Sequence, residues 1–168
     1  GTRLMILNPD LSRFMELHLG AVANVLAFSP DGGRLALSDP SETVSWLDLD
    51  TRTRRALPAA AVHGYQPRFS PDGKYIVFEA RREAWGLYRK LSSGTGQEEL
   101  LLKTNGAEAT DWSSDGRFIT YFTNSGGGAG VNIYVLPTSG ENKPTTYLAT
   151  PFHESENRFS PDTRFLAY

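Results

Sequence analysis

Four short segments of this chain repeat one another without gaps, and no other feature restricts the fold so strongly. They are AFSPDGGRLAL from Ala27, RFSPDGKYIVF from Arg68, DWSSDGRFITY from Asp111 and RFSPDTRFLAY from Arg158. Each is centred on an aspartate, and Asp31, Asp72, Asp115 and Asp162 stand 41, 43 and 47 residues apart. A period of about 40 to 45 residues is that of a four-stranded propeller blade. Helical repeats share this period. Here, however, Phe, Tyr, Val and Ile alternate with polar residues in short runs, and Gly or Pro interrupts anything long enough for three helical turns.

The repeated core has a mechanical reading. Ser-Pro-Asp-Gly fits a type I turn, with Pro presetting the backbone at the second position and Asp bonding local amides. Gly then takes the left-handed geometry that a three-residue hairpin with a bulge requires. The four aspartates are therefore read as structural corners rather than catalytic carboxylates. Ser114 replaces Pro in the third copy and Thr163 replaces Gly in the fourth. Both changes are expected to loosen their turns, Thr163 more, because a β-branched residue resists positive φ.

A second set of turn signals alternates with the corners: Asn8-Pro9-Asp10, Asp48 to Thr51, Ser93 to Gly96 and Ser139-Gly140-Glu141. Apolar alternation flanks each, as in Leu4 to Leu7, Val44 to Leu49, Trp85 to Leu91 and Val131 to Leu136. The reading is an all-β propeller of four-stranded antiparallel blades, one domain over residues 1–168, with sixteen strands making four blade equivalents. The chain opens on the third and fourth strands of one blade and closes on the first and second of another. Phe159 to Tyr168 is therefore expected to pair with Leu4 to Leu19. Three closures stay open: a four-bladed ring, half of a larger propeller, and a homodimer. Asn124 to Asn132, with four glycines, is read as a surface loop; it lacks the helix start and Lys of a phosphate cradle.

Composition removes several function classes. At 168 residues, one domain can bury about 70% of its unfolded surface without staples. There is no cysteine, which excludes disulfides, thiolate metal sites and cysteine nucleophiles. Seventeen basic and 19 acidic side chains are mixed along the chain, giving a formal charge of −2 and no polybasic run. Nucleic acid is thus not an expected partner. Apolar stretches are strand-length, so no membrane insertion is expected, and the start carries no signal-peptide pattern. The chain reads as soluble, processed or excised.

The FSPDG cores and the apolar residues after them resemble the WD40-like repeats of TolB-type propellers, across nearly the whole chain. From Trp112 onward, WSSDGRFITY, NIYVLPTSGENKP and TPFHESENRFSPDTRFLAY also resemble propeller extensions of some bacterial serine/threonine kinases. No kinase signature is present, so a kinase would be a neighbour. The resemblance implies inner strands around a channel, a protein or peptide partner, and a periplasmic or extracellular setting. Members commonly have six or more blades; this sequence supplies four.

Loops entering the innermost strands converge near a propeller's channel mouth, so binding chemistry is sought just before each corner. His63 and His153 each stand nine residues before a corner aspartate, and Tyr65, Gln66, Glu108, Glu154 and Glu156 share those loops. These seven are the candidate binding residues. His63, His153 and Glu154 match zinc or manganese in ligand type, as in propeller lyases, but two histidines and one acid fall short of a specified site. No metal or cofactor is therefore assigned. Trp46, Trp85 and Trp112 are read as packing between blades, and the Arg52, Arg54, Arg55 and Arg81, Arg82 groups as solvated faces. No G-x-S-x-G elbow occurs, and His18 has no evident partner. The leading reading is a non-enzymatic binding scaffold. Its rivals are a metal-dependent saccharide lyase or hydrolase and a structural excerpt of a larger propeller.

Overall fold

A computed structural model describes residues 2–10, 12–19, 25–38, 43–57, 62–123 and 130–168. Sixteen strands occupy them: β1 Thr2–Leu7, β2 Arg13–Leu19, β3 Val25–Phe28, β4 Arg34–Ser38, β5 Val44–Asp48, β6 Arg54–Ala56, β7 Val62–Phe69 and β8 Tyr75–Arg81 in the first half. The second half holds β9 Trp85–Leu91, β10 Glu99–Lys103, β11 Ala107–Trp112, β12 Phe118–Thr123, β13 Asn132–Pro137, β14 Thr145–Leu148, β15 Arg158–Phe159 and β16 Leu166–Ala167. They form three complete four-stranded antiparallel blades, β3–β6, β7–β10 and β11–β14, each in chain order. Hairpins β1–β2 and β15–β16 flank them. The first strands β3, β7, β11 and β15 neighbour one another in succession, which places the inner wall.

Burial follows position in the blade. In the three complete blades the second strands are the most buried; in β8, Ile76 to Ala80 are all buried, with Glu79 the one charged residue among them. Outer β6 and most of β14 are exposed. One core lies between the first two complete blades, where Trp46 and Val44 meet Phe69, Ile76, Phe78 and Tyr88. A second joins Val77 and Leu87 to Trp112, Ile119, Tyr121 and Leu136. Fully burying each large side chain of this kind contributes about 1.5–3 kcal/mol. Trp46 and Trp112 therefore do pack between blades.

Each corner is pivoted by the serine of its motif. Ser70 Oγ donates to Asp72 Oδ1 at 2.6 Å and accepts from the Tyr75 amide at 2.9 Å, while Asp72 Oδ1 also accepts from the Lys74 amide at 3.0 Å. Ser29–Asp31, Ser113–Asp115 and Ser160–Asp162 make the same three contacts. The bonded carboxyls are held below the usual carboxylate pKa range, because the bonds favour the charged form. In Asp31, Asp72 and Asp162 the serine hydroxyl is the main cause; in Asp115, held at about 2, the Arg117 amide comes first. Glycine supplies the left-handed residue at Gly32, Gly73 and Gly116 (φ 72°, 69° and 77°), and Thr163 adopts it at 59°.

The two departures from the motif meet each other. A β-carbon built on Gly116 would lie 3.7 Å from Pro71 Cγ, and one on Gly73 would lie 3.8 Å from Pro30 Cδ, so Pro of one corner faces Gly of the next. At the last seam Ser114 stands for Pro and Thr163 for Gly. Ser114 Oγ donates to the Pro161 carbonyl at 2.6 Å and lies 3.1 Å from Thr163 Oγ1. The fourth turn keeps its full bond set, so the expected loosening is offset by a polar seam. Arg34 ties an earlier seam, 5.6 Å from the Trp46 ring and 5.2 Å from that of Phe69, donating to Gly73 O at 3.3 Å.

The expected pairing of the two chain ends does not form within the chain. Hairpins β1–β2 and β15–β16 remain separate two-stranded sheets, each with an unfilled edge. The reason is the arc: blades stacked side by side carry the first and last hairpins to opposite ends of the row. The consequence is visible position by position. Leu35, Ile76 and Ile119 are 0–1% exposed, whereas their counterpart Leu166 is half-buried. Leu37, Phe78 and Tyr121 are buried, but Tyr168 is 66% exposed. Likewise Phe28 is 55% exposed, in an apolar groove with Leu4, Met5, Ile6 and Leu7, whereas Phe69 and Trp112 are buried. The glycine-rich segment 124–129 lies outside the described residues.

The Ser114–Thr163 seam predicts strong coupling. Ser114→Pro alone is expected to destabilise, because the ring meets a threonine and the Pro161 carbonyl loses its donor; with Thr163→Gly it becomes neutral or stabilising, for a coupling energy of about 1 kcal/mol. Urea unfolding of the four cycle members measures it, and additive effects would sink the account.

Candidate functional site

The inner strands are not regular where they approach the corners. Register shifts between Tyr65 and Arg68 in β7 and between Ala109 and Asp111 in β11. Such bulges re-aim side chains and are concentrated near sites. Gln66 and Glu156, each six residues before a corner aspartate, take left-handed backbone at φ 53° and 58°. For residues other than glycine this costs on the order of 1–3 kcal/mol, and surrounding contacts must hold it.

Those contacts cross between blades. Gln66 Nε2 donates to Glu108 Oε2 at 2.7 Å, joining β7 to β11. Behind them Glu79, on β8 and 5% exposed, has its carboxyl pushed up to about 7. Burial is the main cause and the Glu108 charge the second, partly offset by amide donation from Gly106 and Ala107. One step along the wall, the Thr110 carbonyl accepts from Arg68 Nε at 3.0 Å and from Arg158 Nη1 at 2.5 Å. Asp111 Oδ2 accepts from the Phe159 amide at 2.8 Å, fixing β15 to β11. Buried Asn157 draws the Thr110 and Thr120 hydroxyls to its Oδ1 at 2.7 and 2.5 Å.

The residues expected from the sequence divide into groups. Gln66 and Glu108 meet directly, with half-buried Tyr65 adjacent. Glu156 Oε2 lies 3.6 Å from Arg158 Nη2. His153 is exposed, and its backbone bridges to Val131, with the Glu154 amide donating to Val131 O at 3.3 Å. This crossing lies so close to Gly130 that a β-carbon there would overlap Phe152 O. Glu154 Oε1 accepts from Thr150 Oγ1. The side chains of His63 and His18 lie outside the described residues. Among the described residues, no three His, Cys, Asp or Glu side chains gather closely enough to hold a metal ion.

Arg68, Asp111, Arg158 and Glu79 were missed as site residues, although the signal was present. Arg68, Asp111 and Arg158 all stand four residues before a corner aspartate, so the repeat alone puts them on one level of three neighbouring inner strands. Arg82 is not merely solvated: its guanidinium engages Glu98 with contacts of 2.5 and 2.9 Å and lies 5.5 Å from the Tyr88 ring. Arg55 likewise lies 5.5 Å from the Trp46 ring.

No protein-family model matches the chain. Solved structures do. The putative TolB of Agrobacterium tumefaciens superposes with a TM-score of 0.79 at 20% identity, over 92% of this chain and 55% of that one. TolB of Acinetobacter baumannii gives 0.78 at 22% identity, over 98% of this chain and 42% of that one. The fold is that of a TolB-like β-propeller. This TolB-like chain spans about half the length of those two proteins. The architecture also occurs in an enzyme, the hydrazine synthase of Kuenenia stuttgartiensis, with a TM-score of 0.68 at 15% identity over 94% of this chain and 46% of that one.

Glu79 sets a pH dependence with a definite sign. Its folded-state pKa is raised from 4.5 to about 7, so the folded state keeps a proton that the unfolded state releases. Stability from this group is therefore complete below about pH 4.5 and falls as pH rises to 7, by on the order of 3 kcal/mol. Glu79→Gln keeps an acceptor for the two amides and removes the ionisation. The variant is expected to gain on wild type across that window in denaturant titrations; parallel pH profiles for the two proteins would refute the assignment.

Proposed function

We propose that this chain is a non-enzymatic TolB-like scaffold that presents its inner-strand wall and pre-corner loops to a protein or peptide. The observation carrying this reading is the convergence of polar side chains from three consecutive blades on one wall: Gln66 with Glu108, and Arg68, Asp111 and Arg158 one level along. Rigid second and third strands hold that wall, and the strained backbone at Gln66 and Glu156 fixes side-chain direction in advance. Candidate residue Tyr65 and the backbone of His63 lie on β7 of that wall, whereas His153 and Glu154 sit against Val131 beside β13. The TolB likeness supports the binding role, and it also supports a periplasmic or extracellular setting. A displayed random-peptide library is the test. The folded chain is expected to enrich saturable binders that weaken about tenfold, or 1.4 kcal/mol, when Gln66 and Glu108 become Ala. Recovery of no saturable binder counts against the reading.

We also infer that the open half-blades are covered by a second copy, the β15–β16 edge of one taking the β1–β2 hairpin of the other. The exposure of Phe28 in the apolar groove beside β1, against the burial of Phe69 and Trp112, supports this. Unpaired edges are templates for added strands, and head-to-tail contacts of this type close when the rotation permits. Light scattering is expected to give twice the chain mass at ~100 µM, a concentration at which micromolar association is saturated. A monomer at that concentration removes the inference.

A further inference from the structure

Two cations share a single neutral acceptor on the inner wall. Arg68 Nε and Arg158 Nη1 both point at the Thr110 carbonyl, at 3.0 and 2.5 Å. Arg68 Nη1 donates also to Pro67 O at 3.0 Å, and Arg158 Nη1 to Asn157 O at 2.9 Å. A guanidinium carries five N–H donors in a planar fork. These bonds use Nε and Nη1 of Arg68 and Nη1 of Arg158, so Arg68 Nη2 and Arg158 Nε each keep a donor for another acceptor.

The acids nearby do not fill that role. Asp111 is committed to the Phe159 amide through Oδ2. Glu156 is 3.6 Å from Arg158 Nη2, beyond hydrogen-bond length, and its side chain is 73% exposed. The like charge of Arg158, after burial itself, holds the Arg68 guanidinium below its ordinary basicity, and Glu156 and Asp111 offset this in part. Two guanidiniums fixed at one carbonyl gather positive charge that a carboxylate can share, with one oxygen to each arginine.

We propose that Arg68 and Arg158 form a carboxylate-binding site on the inner wall, which takes an Asp or Glu side chain or a C-terminal carboxylate of the bound segment. The site rests on the scaffold reading above and gives the partner a chemistry: an acidic peptide. Its construction explains why both arginines, from blades that are not adjacent, reach one carbonyl on the blade between them. The first blade has Ala27 at the same repeat position and contributes no charge there.

The test is a titration of the full chain with glutarate, followed by the Nε–Hε NMR signals of its arginines. Saturable shifts at Arg68 and Arg158, with a Kd of about 1–10 mM, are expected, while exposed Arg3 and Arg117 stay unmoved. Arg158→Gln, at a side chain 46% exposed, should weaken glutarate at least tenfold with an unchanged backbone spectrum. Arg68→Lys keeps the charge and loses the fork, and is expected to weaken it several-fold. Equal shifts at all arginines, or none up to ~50 mM, overturn the site. Glutarate binding with no peptide enriched from the library would uphold the site and reject the scaffold reading. Enriched peptides indifferent to Arg158→Gln would do the reverse.

Discussion

The serine-to-aspartate bond at each corner is the contact from which the rest of the molecule follows. One hydroxyl donates to the carboxylate and accepts the amide five residues on, so first and second strands leave the turn with fixed spacing and register. Because all four corners share this geometry, the four inner hairpins are near copies. Near copies can stack face to face in a regular arc. The motif's proline and glycine then act a second time, as the surfaces by which successive corners touch.

That second use makes the repeat tolerant of change only in pairs. At the last seam both partners differ from the motif, and a hydroxyl-to-carbonyl bond replaces ring-on-glycine packing. Thr163 stays in left-handed backbone because the bonds around it over-determine the turn. Between the corners, the second strands of the complete blades are the most buried, and Arg34 lies between rings of two blades while bonding to the second. The result is a packed frame in which the bulges of β7 and β11 lie beside the polar groups of the inner wall.

Those irregularities give the wall its character. Gln66 and Glu108 link adjacent blades in front of a buried carboxyl, and Arg68 and Arg158 converge on the Thr110 carbonyl. Nothing in this arrangement resembles a nucleophile activated by a base. Its donors and acceptors are held in place by bonds within the chain, which is what the proposed binding role requires. Binding energy is then not spent on ordering side chains.

The sequence by itself determined the blades: the aspartate spacing, the turn chemistry and the alternation between turns place all sixteen strands, because hairpin geometry is local and each turn carries its own residues. It also put Gln66 and Glu108 in one neighbourhood. Only the tertiary structure decided that the chain ends stay apart, since the curvature of stacked blades is set by packing across seams and not by any one hairpin. Only it showed what Arg68 and Arg158 face on that wall and that Glu79 lies behind it, because those partners stand on other blades. A position in a repeat states which level of the wall a residue occupies; what it faces there depends on neighbours that the local pattern does not contain.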